Sequence, residues 1–192
     1  MNIKDKEYSF QDFDLVNKLD LHPWVKGGVF WSVDSDPNGS FKKIFTDGSK
    51  LNGRVGPGIV CLSEARGIFW KEEISLNDEA SVFVAEAVAI QMAVEKVGPN
   101  KEKIVIFLDS RSVLMALESN KNHSEVIMKL RKILFFNPQI KLNWVRAHFG
   151  IYLNELADLS ATNATTKEEF DIKIKIPKSW IKNQLKLTML QE

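Results

Sequence analysis

The run KIVIFLD, residues 103 to 109, constrains the fold of this chain more than any other stretch. Its apolar residues are continuous from Ile104 to Leu108, with no polar face left for water. A short strand of this kind belongs in a sheet covered on both sides. Helices must therefore flank it, and the neighbouring sequence supplies them. Before it, NDEASVFVAEAVAIQMAVEKVG carries apolar residues at Val82, Phe83, Ala89, Ile90, Ala93, Val94 and Val97, the stripe of an amphipathic helix. Asn77 or Asp78 can cap that helix, and Gly98-Pro99 end it. After it, SRSVLMALES and SEVIMKLRKILFF read as two helices, QIKLNWV as an alternating strand, and LNELADLSATNA as a last helix.

Three further strand patterns lie upstream. KKIFTD, GPGIVCLS and RGIFWKEEISL suggest an antiparallel meander, with EAR as the second turn. The expected fold is therefore α/β, a mixed five-stranded sheet. Three antiparallel strands come first, strand–helix crossovers follow, and helices pack on the sheet. The 192 residues suit one domain with flanks. Residues 1–40, with turn signals at HPW, KGG and DPNGS, read as a leader or linker. Residues 41–165 form the domain. Residues 166–192 form a C-terminal extension that holds a short alternating strand, FDIKIKI, and a lysine-rich tail.

The formal net charge of +1 excludes a global basic field, so nucleic-acid binding would need a local patch. One cysteine, Cys61, lies in an apolar run and reads as a buried small hydrophobe. Cysteine usage and a polar N-terminus without a secretory signal imply an intracellular location, cytoplasm or nucleus. GRVGPG lacks the Lys-Ser/Thr of a phosphate-binding loop and leads into a strand.

Four acids carry the chemistry. Asp47 stands at the end of the first strand pattern, in KIFTDGSK, and Asp109 ends the KIVIFLD strand. Ligand-binding groups in α/β sheets gather at such strand ends. Taken singly, Asp47 reads as a turn residue, Asp109 as a helix N-cap, and Asp158 as a helix-surface acid. Glu86 is different, because it sits on the apolar stripe of its helix. It is either an end-of-stripe residue reaching solvent or paired, or a group with a partner at the sheet. If the Asp47 and Asp109 strands are parallel neighbours, their carboxylates stand side by side. Four acids converging from two strands and two helices cannot all ionise together without cations. Hard divalent metals with oxygen ligands answer that, and two ions roughly 3.5–4 Å apart suit in-line displacement at phosphorus.

IFTDGSK, AEAVAI, FLDSRSVLMAL and WVRAHFGIYLNELADLSA resemble, in order and spacing, the type I ribonuclease H domain over about residues 42 to 165. The resemblance implies a ribonuclease H-like fold and a metal site of Asp47, Glu86, Asp109 and Asp158. It also implies Mg2+ as cofactor, two ions, with Mn2+ able to substitute, and His148 in the loop before the last helix for proton transfer or product release. The substrate it implies is an RNA/DNA hybrid, cut to 3′-hydroxyl and 5′-phosphate ends. Gly48 would let the backbone approach the RNA strand, with Ser49, Arg111 and Asn154 making nearby contacts. The sequence most resembles ribonuclease H segments of LINE-type (non-LTR) retrotransposon polyproteins, which implies a reverse transcriptase in the same polyprotein as partner. Two departures stand out: Phe149 replaces a small polar residue beside His148, and Arg111 stands where a Gln is common.

Overall fold

The computed structural model describes residues 2–3, 6–14, 29, 31–33, 42–63, 67–98, 102–119, 124–146 and 151–190. Eight strands lie among them: β1 (Asn2–Ile3), β2 (Lys6–Glu7), β3 (Trp31–Val33), β4 (Lys42–Leu51), β5 (Arg54–Leu62), β6 (Ile68–Glu73), β7 (Ile104–Leu108) and β8 (Ile140–Trp144). The helices described are α1 (Val82–Val97), α2 (Arg111–Glu118), α3 (Glu125–Phe136), α4 (Tyr152–Ala164) and α5 (Lys178–Met189). The short pair β1–β2 stands apart, and the other strands form a mixed six-stranded sheet in the order β3-β8-β7-β4-β5-β6. β4, β5 and β6 are the antiparallel meander, while β4, β7, β8 and β3 run parallel.

The expected strand count of five is corrected to six. Trp31–Val33 pairs in parallel with Leu142–Trp144 on the outer edge of β8. Only three residues long, it has too little alternation to be distinguished from a loop by pattern.

The continuous apolar run of β7 divides between two cores. Ile104, Ile106 and Leu108 join α1, α2 and α3 on one face, with Ile44, Ile59 and Cys61. Val105 and Phe107 face the other way, onto α4, with Phe45, Val60 and Leu62. Successive side chains of a strand point to opposite faces, so every residue of β7 finds a layer. The register pairs Phe45 with Phe107, and their rings stack 4.7 Å apart. Cys61 is fully buried, and that burial pushes its thiol up to about 11.

Glycines set how closely the α4 layer approaches. A Cβ on Gly58 would lie 2.3 Å from both the Ala157 carbonyl oxygen and the Ala161 nitrogen. One on Gly56 would lie 2.4 Å from the Ala164 Cβ. The small face Ala157, Ala161 and Ala164 thus rests on the bare backbone of β5, which is what lowers α4 toward the sheet.

Two boundaries differ from expectation. The cap of α1 is Ser81, whose Oγ accepts from the Val84 N–H, in place of Asn77 or Asp78. Those residues precede the helix because Asn77 is engaged elsewhere: its Nδ2 donates to Glu79 and its Oδ1 accepts from the Ile174 N–H. Glu79 also accepts from the Tyr8 hydroxyl at 2.8 Å, so this connection meets both flanking segments. FDIKIKI makes two isolated bridges, Leu76 to Ile172 and Phe13 to Ile176, where a strand was expected. Its two neighbours are separate segments, so no continuous ladder can form. Among the described residues no helix is long and apolar enough to cross a membrane.

Candidate metal centre

Asp47 does not end its strand, contrary to expectation. β4 continues to Leu51, and Asp47 pairs across to Gly58 on β5. The reversal comes at Asn52-Gly53, both with positive φ (51° and 85°). Asn-Gly is the preferred pair for such a two-residue hairpin turn, and that signal in the sequence marks the true strand end. What stops at Asp47 is the parallel ladder. It runs from Lys42–Ile104 to Thr46–Leu108, so the next residues on the two strands are Asp47 and Asp109. The register thereby sets these two carboxylates side by side.

Glu86 arrives from above. It lies in the second turn of α1 and is only 5% exposed. Gly48 makes the approach possible: a Cβ there would sit 2.8 Å from the Glu86 nitrogen and 3.0 Å from its Cγ. The missing side chain at position 48 thus has a cause inside the molecule. One carboxylate oxygen from each of Asp47, Glu86 and Asp109 lies within 4.8 Å of the others. Asp158, half-buried on α4, stands outside that triad, but its charge reaches Asp47.

The electrostatics follow from crowding. Burial pushes Asp47 up to about 7, the nearby charge of Asp109 adds to this, and Asp158 contributes less; hydrogen bonds from the Gly48 N–H and Glu86 oppose it. Glu86 is held well above the usual carboxylate range by burial first, then by Asp47 and Asp109. Its Oε2 is buried with no hydrogen-bond partner among the described residues. A buried acceptor of that kind is costly unless a cation or donor meets it. Three carboxylates, one of them carrying an unpartnered oxygen, fit a divalent metal of the Mg2+ type.

The remaining candidates divide. Ser49 Oγ is tied to Thr162 Oγ1 at 3.3 Å, on the α4 side. Asn154 is buried, and its Nδ2 donates to Asp109 Oδ2 at 3.2 Å. Arg111 is exposed in the first turn of α2, and its N–H donates to the Asp109 carbonyl. His148 and Phe149 lie outside the described residues. Sequence reasoning missed Trp144 as part of this site; its Nε1 donates to the Asp109 carbonyl at 3.0 Å. Its place at the end of a strand parallel to β7 is the signal that could have found it.

The RNase H family model matches residues 40–166, two thirds of the chain, and spans all four acids. The chain belongs to the RNase H family. Solved structures share the fold of this RNase H domain. A foamy viral protease–reverse transcriptase in complex with RNA/DNA hybrid is 19% identical, with a TM-score of 0.59 over 69% of this chain. This chain spans 22% of that one. LC11-RNase H1, isolated from compost by a metagenomic approach, is 19% identical with a TM-score of 0.54, covering 66% of this chain and 96% of its own. RNase H1 from the halophilic archaeon Halobacterium salinarum is 21% identical with a TM-score of 0.53, covering 64% and 96%.

Proposed function

We propose that this chain is a metal-dependent endonuclease that hydrolyses the RNA strand of RNA/DNA hybrids, leaving 3′-hydroxyl and 5′-phosphate ends. The observation that carries the reading is the triad of Asp47, Glu86 and Asp109 oxygens within 4.8 Å, with Glu86 Oε2 buried and unpartnered, in a member of the RNase H family. These three residues would hold the metal, with Asp158 as the fourth acid. Bound Mg2+, or Mn2+ in its place, supplies charge neutralisation at the scissile phosphate and a water of lowered pKa.

The protein's own groups do the rest. Burial and mutual crowding raise Asp47 and Glu86 above the ordinary carboxylate range, which limits the like charge that the metal-free pocket carries. Arg111, exposed beside Asp109, offers a guanidinium to a substrate phosphate. His148 serves proton transfer or product release. The wide minor groove of a hybrid exposes 2′-hydroxyls, which is how such a site tells RNA from DNA. A reverse transcriptase in the same LINE-type polyprotein, implied by the sequence resemblance, is the partner in this reading.

The test is cleavage of end-labelled RNA/DNA hybrid, duplex RNA and duplex DNA in Mg2+ and in chelator. Cutting of the hybrid's RNA strand alone, lost in chelator, is expected. Hybrid binding without product in any divalent ion would make the chain a binding module on the same fold. Cleavage of duplex DNA would move it to another nuclease branch.

A further inference from the structure

Asn154 has no open surface from which to touch a substrate. It is 4% exposed in the first turn of α4, and its Nδ2 donates to Asp109 Oδ2. The orientation of the amide follows from its chemistry, since only the NH2 side can face a carboxylate. The Oδ1 atom, on the other side, is buried with no hydrogen-bond partner among the described residues. An unpaired buried acceptor lowers stability, so a residue retained for packing alone would be apolar here.

Asp109 needs such a donor. It directly precedes α2, where a carboxylate ordinarily turns to cap the free N–H groups of the first turn. Ser110, at the N-cap position, makes no side-chain cap bond, so that competing place stays open. Asp109 nevertheless points its carboxylate at Asp47 and Glu86. Its backbone is held by Trp144 Nε1 and the Arg111 N–H on the Asp109 carbonyl. Those bonds leave the side-chain torsions free, and the bond from Asn154 fixes them.

We infer that Asn154 is a positioning residue, which holds the Asp109 carboxylate in the metal-facing orientation and away from the N-terminus of α2. The inference rests on the metal-dependent reading of the site. It separates Asn154 from the substrate contacts and assigns it to the metal.

The test uses the whole chain with Asn154→Leu, which keeps the branched heavy-atom skeleton of Asn, removes the donor and removes the unpaired acceptor. Two readouts are taken: Mg2+-dependent rise in melting temperature, and Mg2+-dependent cleavage of hybrid. Without metal the variant should melt no lower than the parent. The Mg2+ concentration for half the thermal shift, and for half-maximal cleavage, should rise at least fivefold. A variant with unchanged Mg2+ midpoints overturns the inference. So does one that unfolds without metal, since Asn154 would then serve the fold. A parent that neither shifts in Mg2+ nor cleaves hybrid fails the proposed function first, and the inference with it.

Discussion

Asp47→Asn abolishes hybrid cleavage and raises the melting temperature of the metal-free protein at pH 8. The loss should be at least about 10³-fold, because the metal's stabilisation of developing charge is worth several kcal/mol. The gain in stability follows from proton linkage. In the folded protein Asp47 keeps its proton up to about pH 7, whereas its ordinary value is 3.8. Between these values the folded state binds more protons than the unfolded one, so stability falls as pH rises through that window. The stability is fully present below pH 3.8 and lost above pH 7. Asparagine has no proton to lose there and still offers an oxygen to the Gly48 N–H, which now donates to Asp47 Oδ1 at 2.7 Å.

The corresponding stabilisation at pH 8 is about 4 kcal/mol, from a rise of about 3 pKa units at ~1.4 kcal/mol each. Thermal melts at pH 5 and pH 8, with and without Mg2+, check this. The gap between variant and parent should be small at the lower pH, several-fold wider at the higher one without metal, and close or reverse when Mg2+ stabilises the parent alone. Retained cleavage, or a variant that melts lower at pH 8, contradicts the role given to Asp47.

Gly58→Ala should be the most damaging single methyl in the sheet. The added Cβ meets the Ala157 carbonyl oxygen and the Ala161 nitrogen at 2.3 Å, and the Ser160 carbonyl carbon at 2.8 Å. All three are backbone atoms of α4, so no side-chain rotation relieves the clash. The helix must lift or the strand must bend, at about 3 kcal/mol. For a chain of this size that lowers the melting temperature by about 6–12 °C. Asp158 and Asn154 ride on the same helix, so cleavage should fall even well below the new melting point. Gly53→Ala is the control: it has open space around its Cβ but a φ of +85°, and should cost only about 1–2 kcal/mol with cleavage retained. Melting of Gly58→Ala within a degree or two of the parent would show that α4 is not seated by that glycine.

Much of the acidic cluster is legible in the sequence. Glu86 stood out because a carboxylate on an apolar stripe needs a partner at the sheet, and it is indeed buried among acids. Asp109 was legible as the end of a strand buried on both faces. Asp47 was legible as a candidate but for a wrong reason, since TDGS was read as a turn and is mid-strand. Trp144 and the donor role of Asn154 were not legible. Each acts across a gap of 35 or 45 residues, through one hydrogen bond that leaves no periodic trace.

By itself the sequence determined the main strands and helices between residues 42 and 164, which faces they bury, and that four acids lie among them. Those properties are local: alternation by two or by 3.6 reports how a segment meets a layer. Only the tertiary structure decided that the parallel ladder stops at Thr46 and Leu108, that Gly48 and Gly58 let two helices descend onto the sheet, and that Asp109 turns from α2 toward Asp47 and Glu86. Register and layer separation are settled by contacts between residues far apart in the chain, summed over whole elements, and no single stretch of sequence carries that sum.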